Sequence, residues 1–192
     1  MRVTFTAAGV RRGMHLLSPL FLLYYLAPAE LAPGVPRTLP VVVAAAIIAG
    51  FEGLRLGLHW DLPGLRDYER HRLGAYAWGS FGMAVGFLFF HPVLHVVTFC
   101  GMAWIDPLCE WSRERKLYPK VPLVAYFTGA LVFFAVLSPF HPQLAVRPYL
   151  GLPLAVIAAI LAVAVERPKW TWTDDDFLMN VVPLGAMAVF GF

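Results

Sequence analysis

Two groups of carboxylates at the ends of apolar segments are the strongest candidates for chemistry. Asp106 and Glu110 are four residues apart at the end of one segment, so they share a face if the helix continues past the proline between them. Three consecutive aspartates at positions 174–176 precede the last apolar segment. Mg²⁺ takes carboxylate oxygens as ligands and keeps several waters. The sequence therefore predicts a Mg²⁺ site with the ligands Asp106, Glu110, Asp175 and Asp176.

Both groups of acids also have an alternative explanation. Acids at a membrane boundary can be solvated, and acids before a helix favour its N-terminus through the helix dipole, with Thr173 or Asp174 as the cap. A single acid is enough for capping, whereas this chain has three in a row. The run at 174–176 therefore favours binding of a metal, or of a nucleotide together with its metal.

An ion pair inside an apolar segment is the second candidate. Glu52 and Arg55 are three residues apart, so they share a helix face and can pair. Each ionisable residue within a membrane span costs roughly 2.5–3.5 kcal/mol on insertion scales. This cost favours a functional role for the pair. The alternative is a structural ion pair near the helix end, with Arg55 extending its charge towards the interface.

Basic residues and histidines form two further patterns. Arg11, Arg12 and His15 open the first apolar segment with a spacing that can cluster them on one face, which suits a phosphate or a lipid headgroup. The alternative is anchoring of the segment end by the arginines, with a buried histidine. His91 and His95 have the spacing of metal ligands. They lie away from nearly all of the acids, so a metal site there is disfavoured.

The elements that position these residues are predicted to be membrane helices. Hydrophobic residues make up 59% of the chain and charged residues 14%, and the mean hydropathy is +0.68. Soluble domains are about half apolar and about a quarter charged, so lipid must cover the excess apolar surface. The apolar runs are long and do not alternate, which favours helices. We therefore predict an all-α, polytopic transmembrane bundle, with residues 1–192 as a single integral membrane domain.

Seven apolar segments are candidate spans. They cover residues 14–31, 39–59, 74–90, 93–108, 121–140, 149–165 and 177–192. Most of the 15 lysines and arginines fall at one set of segment ends, which the positive-inside rule places in the cytoplasm. The N-terminus is then cytoplasmic, the C-terminus external, and the protein is expected in the cell membrane.

The distribution of the acids indicates where an active site would face. Of the 12 acidic residues, only Glu30 falls on the predicted outer side, and no topology rule draws acids inward. This asymmetry predicts a polar site on the cytoplasmic side. The pI near 9.0 is attributed to basic loops beside anionic membrane lipids. No basic stretch stands clear of the membrane, so nucleic acid is not an expected partner.

The order of the motifs resembles a known family. The motifs, in chain order, are Arg11-Arg12-x-x-His15, Glu52-x-x-Arg55, Arg72-x-Gly74, Asp106, a basic loop, Gly129, Glu166, the run at 174–176 and Pro183. This order resembles the CTP-dependent polyprenol kinases, the dolichol kinase and phytol kinase group, which are related to the phosphatidate cytidylyltransferases. The resemblance spans nearly the whole chain, and its most specific element is the glutamate followed after a short gap by the aspartates and a proline.

The resemblance implies a membrane kinase that transfers a phosphoryl group from a nucleoside triphosphate, CTP in this family, to a polyprenol or another isoprenoid lipid alcohol. The implied catalytic residues are Glu52, Asp106 and Asp174, with Glu52 or Asp174 orienting the attacking hydroxyl. Mg²⁺ is the implied cofactor, held by the four carboxylates named above. The implied substrate-binding residues are Arg11, Arg12, His15, Arg55, Arg72, Lys116 and Lys120, of which the last three would contact phosphates.

Three alternatives stay open at this point. A cytidylyltransferase that forms a CDP-lipid would use the same acids. A non-catalytic lipid-binding protein on the same scaffold is supported by the absence of the Lys-Ser that the family usually has. A transporter is disfavoured, because transporter sites lie near the midplane whereas these acids lie at one end. Whether the chain forms a homodimer is also left open.

Overall fold

The computed structural model describes residues 13–62, 65–167, 170 and 172–191. Within these residues the chain is helical, and the predicted all-α class is confirmed at that level. The helices are α1 Gly13–Leu26, α2 Thr38–Gly57, α3 Ala75–Phe89, α4 Pro92–Glu114, α5 Lys120–Leu137, α6 Pro142–Val146, α7 Gly151–Glu166 and α8 Asp175–Gly191.

Short irregular elements connect the helices. Two strands, β1 Glu30–Ala32 and β2 Val35–Pro36, pair antiparallel between α1 and α2. Their turn uses Gly34, whose φ of +74° lies in the left-handed region that glycine adopts readily. Single turns of tighter helix occur at Asp67–His71, Ser138–Phe140 and Pro148–Leu150.

Four of the described helical stretches are long and apolar enough to cross a membrane. They are Thr38–Gly57, Pro92–Glu114, Lys120–Phe140 and Pro148–Glu166. The helices α1 and α3 are apolar but shorter, and α8 has 17 residues with two acids in its first turn. The count of seven spans and the orientation of the termini therefore remain predictions from the sequence.

The helix α4 lies at the centre of the bundle and packs against α1, α3, α5, α7 and α8. Close approach depends on small residues, as in other membrane bundles. On α4, a Cβ placed at Gly101 would lie 2.4 Å from the ring of Tyr126 on α5. A stripe of buried alanines on α7 has the same effect where that helix packs against α5 and α8; it comprises Ala155, Ala158, Ala159 and Ala162.

The helix α2 packs against α3 at the periphery of the bundle. Within Thr38–Gly57, the buried residues are Glu52 and Arg55, while apolar side chains such as Ile47 and Leu54 are exposed. Such a surface suits lipid rather than water. This helix is therefore held to the protein by polar contacts near its end.

Candidate functional site

The acids predicted to act together do converge in space. The helix α4 supplies Asp106, the last residue of α7 is Glu166, and α8 begins with Asp175 and Asp176, directly after Asp174. Ligand oxygens of Asp106, Glu166 and Asp175 all lie within 4.8 Å of one another. The same holds for the three aspartates at 174–176, and for His15 with Asp106 and Asp176. We call His15, Asp106, Glu166 and the aspartates at 174–176 the acid cluster.

The cluster forms because α8 packs against both α4 and α7. The helix α4 continues through Pro107 to Glu114, past the segment end predicted at residue 108. Proline removes one backbone donor but does not have to end a helix whose other contacts hold it. Glu110 is exposed one turn beyond Asp106 and is not a member of the three-residue ligand groups found among the described residues. Its role as a ligand remains a prediction.

Asp174 has a structural task in addition to any chemical one. Its Oδ1 accepts a hydrogen bond from the Asp176 backbone N–H at 3.1 Å, which caps α8 as expected for an acid at this position. Asp174 is 7% exposed. Burial raises the pKa of Asp174 to about 6, and the charge of Asp175 adds to this effect. The cluster therefore brings negative charges close together, and a bound cation would reduce the repulsion between them.

Glu166 is the member that points most directly to a cation. Its side chain is 2% exposed, and its Oε1 contacts Nη2 of Arg113. Its Oε2 is buried without a hydrogen-bond partner among the described residues. Leaving a buried acceptor unsatisfied costs about 1–3 kcal/mol, and more for a charged group. A metal ion or a metal-bound water would satisfy this oxygen, so the residues present fit a divalent cation.

The N-terminal motif meets the cluster through His15. Its Nε2 lies 3.5 Å from Oδ2 of Asp176, and both side chains are largely buried. The two preceding arginines, Arg11 and Arg12, lie outside the described residues. His15 therefore contributes to the cluster from α1.

Glu52 and Arg55 pair with each other, as the alternative interpretation of the sequence expected. Nε of Arg55 donates to Oε1 of Glu52 at 2.9 Å and Nη2 donates to Oε2 at 2.7 Å. Both side chains are 0% exposed. Glu52 also accepts hydrogen bonds from the Tyr76 hydroxyl and from the Gly74 backbone N–H. The carboxylate is thus saturated by protein donors.

Arg55 ties the loop between α2 and α3 to the end of α2. Its Nη1 donates to the backbone carbonyl of Glu69 at 3.1 Å, and its Nη2 donates to that of Arg72 at 2.6 Å. These contacts give Glu52 and Arg55 a structural role. The catalytic role predicted for Glu52 and the substrate-binding role predicted for Arg55 remain predictions that these contacts do not support.

The predicted phosphate-contacting residues lie on or directly beside two loops. Lys116 follows the end of α4 and Lys120 begins α5, and both are exposed. Arg72 lies on the loop between α2 and α3, with its guanidinium carbon 4.0 Å from the centroid of the Tyr68 ring. Arg66 on the same loop was not predicted, although its charge acts on both Asp174 and Asp175. Its only sequence signal was membership of the basic inner loops.

The two histidines with metal-ligand spacing do not act together. Nδ1 of His95 is 2.8 Å from the Tyr25 hydroxyl, in the core. His91 instead packs against His141, with ring centroids 4.1 Å apart. The two histidines therefore have different partners, in agreement with the sequence-based expectation that they do not form a metal site.

In chemical terms, the acid cluster combines five carboxylates with one histidine, and the basic loop with Lys116 and Lys120 follows α4, the helix that supplies Asp106. This arrangement can hold a divalent cation and present it to a phosphate-bearing substrate. No protein-family model, curated protein or solved structure matches the chain.

Proposed function

We propose that this protein is an integral membrane kinase that phosphorylates an isoprenoid lipid alcohol with a nucleoside triphosphate, CTP by resemblance. The observation that carries the proposal is the convergence of Asp106 with the aspartates at 174–176. These residues are about seventy positions apart in the sequence and lie on different helices. A solvated acid or a helix cap does not need such a partner, whereas a shared cation does.

The spacing of the carboxylates supports Mg²⁺ as the cofactor. Ligand oxygens at ~2.0–2.1 Å from one Mg²⁺ lie at most about 4 Å apart, and further apart when one contact runs through a water. Groups within 4.8 Å of one another fit this range. Mg²⁺ would supply neutralisation of the charge that develops on the transferred phosphoryl group. Asp106, Asp175 and Asp176 are its proposed ligands, with Glu110 and Glu166 beside them.

The remaining residues bind and orient the two substrates. Asp174 lies beside the proposed ligands, and its proposed role is to orient the lipid hydroxyl and accept its proton. The hydroxyl oxygen forms a bond to the γ-phosphorus, and the bond from that phosphorus to the β–γ bridging oxygen breaks, which releases the nucleoside diphosphate. Lys116, Lys120 and Arg72 are the proposed phosphate contacts.

An apolar groove next to the acid cluster supports a lipid substrate. It is a small groove of about 50 Å³ between α4 and α5, and it is lined by residues that include Gly101, Trp104, Ile105 and Phe133. Ile105 directly precedes Asp106. An isoprenoid chain lying along this groove would run towards the end of α4 that carries Asp106.

The activity is tested by following the label from CTP into lipid. The purified protein is incubated with Mg²⁺, a panel of polyprenols and lipid phosphates, and CTP that carries ³²P at either the γ or the α position. We expect γ-label on a lipid alcohol. Transfer of α-label with release of pyrophosphate would show a cytidylyltransferase instead. No transfer to any member of the panel would favour the non-catalytic lipid-binding protein.

We also propose seven spans, with the N-terminus and the acid cluster on the cytoplasmic side of the cell membrane. Cys100 and Cys109 are buried, so single cysteines can be introduced at positions 35, 67 and 117 for labelling in intact cells. An impermeant reagent should label position 35 from outside, and positions 67 and 117 only after the membrane is opened. Labelling of positions 35 and 67 from the same side would exclude this topology.

A further inference from the structure

The loop between α2 and α3 carries two arginines that share one tyrosine. The guanidinium carbon of Arg72 is 4.0 Å from the centroid of the Tyr68 ring, and that of Arg66 is 5.5 Å away. Nη1 of Arg66 also donates a hydrogen bond to the Tyr68 hydroxyl. Both distances fall within the range of cation–π contacts. The tyrosine therefore holds two positive charges close together on the protein surface.

The backbone of this loop is fixed from two sides. Glu69 is 3% exposed, and its carboxylate accepts hydrogen bonds from the backbone N–H groups of Arg66, at 2.7 Å, and Ala75, at 3.2 Å. Arg55 donates to the carbonyls of Glu69 and Arg72. The backbone that carries the two arginines is thus held by these hydrogen bonds, which lowers the entropy that would be lost when they bind a ligand.

The charges on the loop have different partners. Arg70 lies 3.6 Å from Asp61 and 3.6 Å from Asp67, which are exposed acids of the same loop region. Arg66 instead belongs to the segment that leads into α3, and the start of α3 packs against the start of α8, with the ring centroids of Trp78 and Phe177 5.1 Å apart. Partial burial lowers the pKa of Arg66, but its hydrogen bond to Tyr68 and the charges of Tyr68, Asp174 and Asp175 raise it by more. The charge of Arg66 thus acts together with those of Asp174 and Asp175, whereas Arg70 pairs with exposed acids of its own loop region.

We propose that Arg66, together with Tyr68 and Arg72, forms an anion site that binds the terminal phosphates of the nucleoside triphosphate while its metal is held by the acid cluster. This inference rests on the proposed function and adds Arg66 as a substrate-binding residue. The guanidinium fork matches two phosphate oxygens. A positive group and a metal on opposite sides of one polyphosphate would fix its position for transfer.

The full-length protein in neutral-lipid nanodiscs can be tested with inorganic tripolyphosphate and Mn²⁺, measured by calorimetry. We expect Arg66→Ala to weaken tripolyphosphate binding about tenfold or more, as for loss of a hydrogen bond between charged groups. Arg66→Lys should bind with intermediate affinity, since it keeps the charge without the fork. Arg70→Ala removes the same charge from the same loop and should change the affinity less than twofold. Equal weakening by Arg66→Ala and Arg70→Ala would overturn the inference.

Binding of Mn²⁺ alone separates this inference from the proposed function. If the wild-type protein does not bind Mn²⁺, the metal site itself is wrong. If it does bind Mn²⁺, and Arg66→Ala only tightens that binding without weakening tripolyphosphate, Arg66 merely balances the charge of the acids and the inference fails. Unchanged melting temperatures of Arg66→Ala and Arg66→Lys exclude loss of fold as the cause of a weakened affinity.

A phosphate of a membrane lipid is the other possible source of the anion. The same variants are therefore compared in nanodiscs with and without phosphatidic acid. If Arg66 binds the nucleotide, Arg66→Ala weakens tripolyphosphate binding in both lipid compositions. An effect seen only with phosphatidic acid would assign the site to a lipid headgroup and overturn the assignment to the nucleotide.

Discussion

Asp175→Asn should reduce phosphoryl transfer by at least about a hundredfold and weaken Mn²⁺ binding in parallel. Even residues that only contact metal ligands change affinity or activity by about 10–100-fold when they are replaced, and Asp175 lies among the proposed ligands themselves, within 4.8 Å of oxygens of Asp106 and Glu166. The amide keeps the size of the side chain but not its charge. Transfer rates and Mn²⁺ titrations on the purified variant measure both effects.

The matched control for this variant is Asp61→Asn. Asp61 is an exposed acid that pairs with Arg70, so the same chemical change should leave activity and Mn²⁺ affinity unchanged. Asp175→Asn should also retain or raise the melting temperature, because it removes one charge from a crowded group of acids. Loss of activity together with loss of stability, or equal losses in both variants, would contradict the assignment of Asp175 as a metal ligand.

Glu52→Ala should lower the stability of the protein more than any other single change discussed here. It leaves the guanidinium of Arg55, which is 0% exposed, without its carboxylate, and breaking a buried ion pair in this way costs about 3–5 kcal/mol. For a chain of this size that corresponds to a fall in melting temperature of about 10 °C. The measurement is thermal denaturation in detergent, in which unfolding is detected by the reaction of the buried cysteines with a thiol reagent.

The double variant Glu52→Met with Arg55→Met should recover much of this loss, because replacing a buried pair with apolar groups is often close to neutral. Glu52→Gln, which keeps the shape of the side chain, should fall between the two. If Glu52→Ala melted like the wild-type protein and yet had no activity, the catalytic role predicted for Glu52 from the sequence would be correct and the structural role wrong.

The convergence of Asp106 with the aspartates of α8 was predictable from the sequence, because both groups end apolar segments on the same predicted side of the membrane. The structure confirms it, with ligand oxygens within 4.8 Å of one another. Depth along a helix can be read from hydropathy, so residues at one end share a level in the bundle. The geometry agrees with the predicted metal site, and binding of the metal remains a prediction.

Two members of the site could not be derived in the same way. Glu166 belongs to the cluster because it is the last residue of α7, which packs against α8. The direction in which a side chain at a helix end points cannot be predicted from hydropathy. The loop that carries Arg66 is held by buried contacts of Glu69 and Arg55. Such loop conformations depend on contacts that are distant in the sequence. Hydropathy also favours seven segments without showing which of them are long enough to span as helices.

The position of the aspartates on the last described helix has a consequence for biogenesis. The carboxylates of α4 and α7 are synthesised before those of α8, and they gain their full set of partners only when α8 docks against both helices. A divalent cation therefore cannot find its complete coordination in a partly inserted chain. Because a ligand that binds only the assembled state shifts the equilibrium towards it, a cation bound at the proposed site would favour the docking of α8.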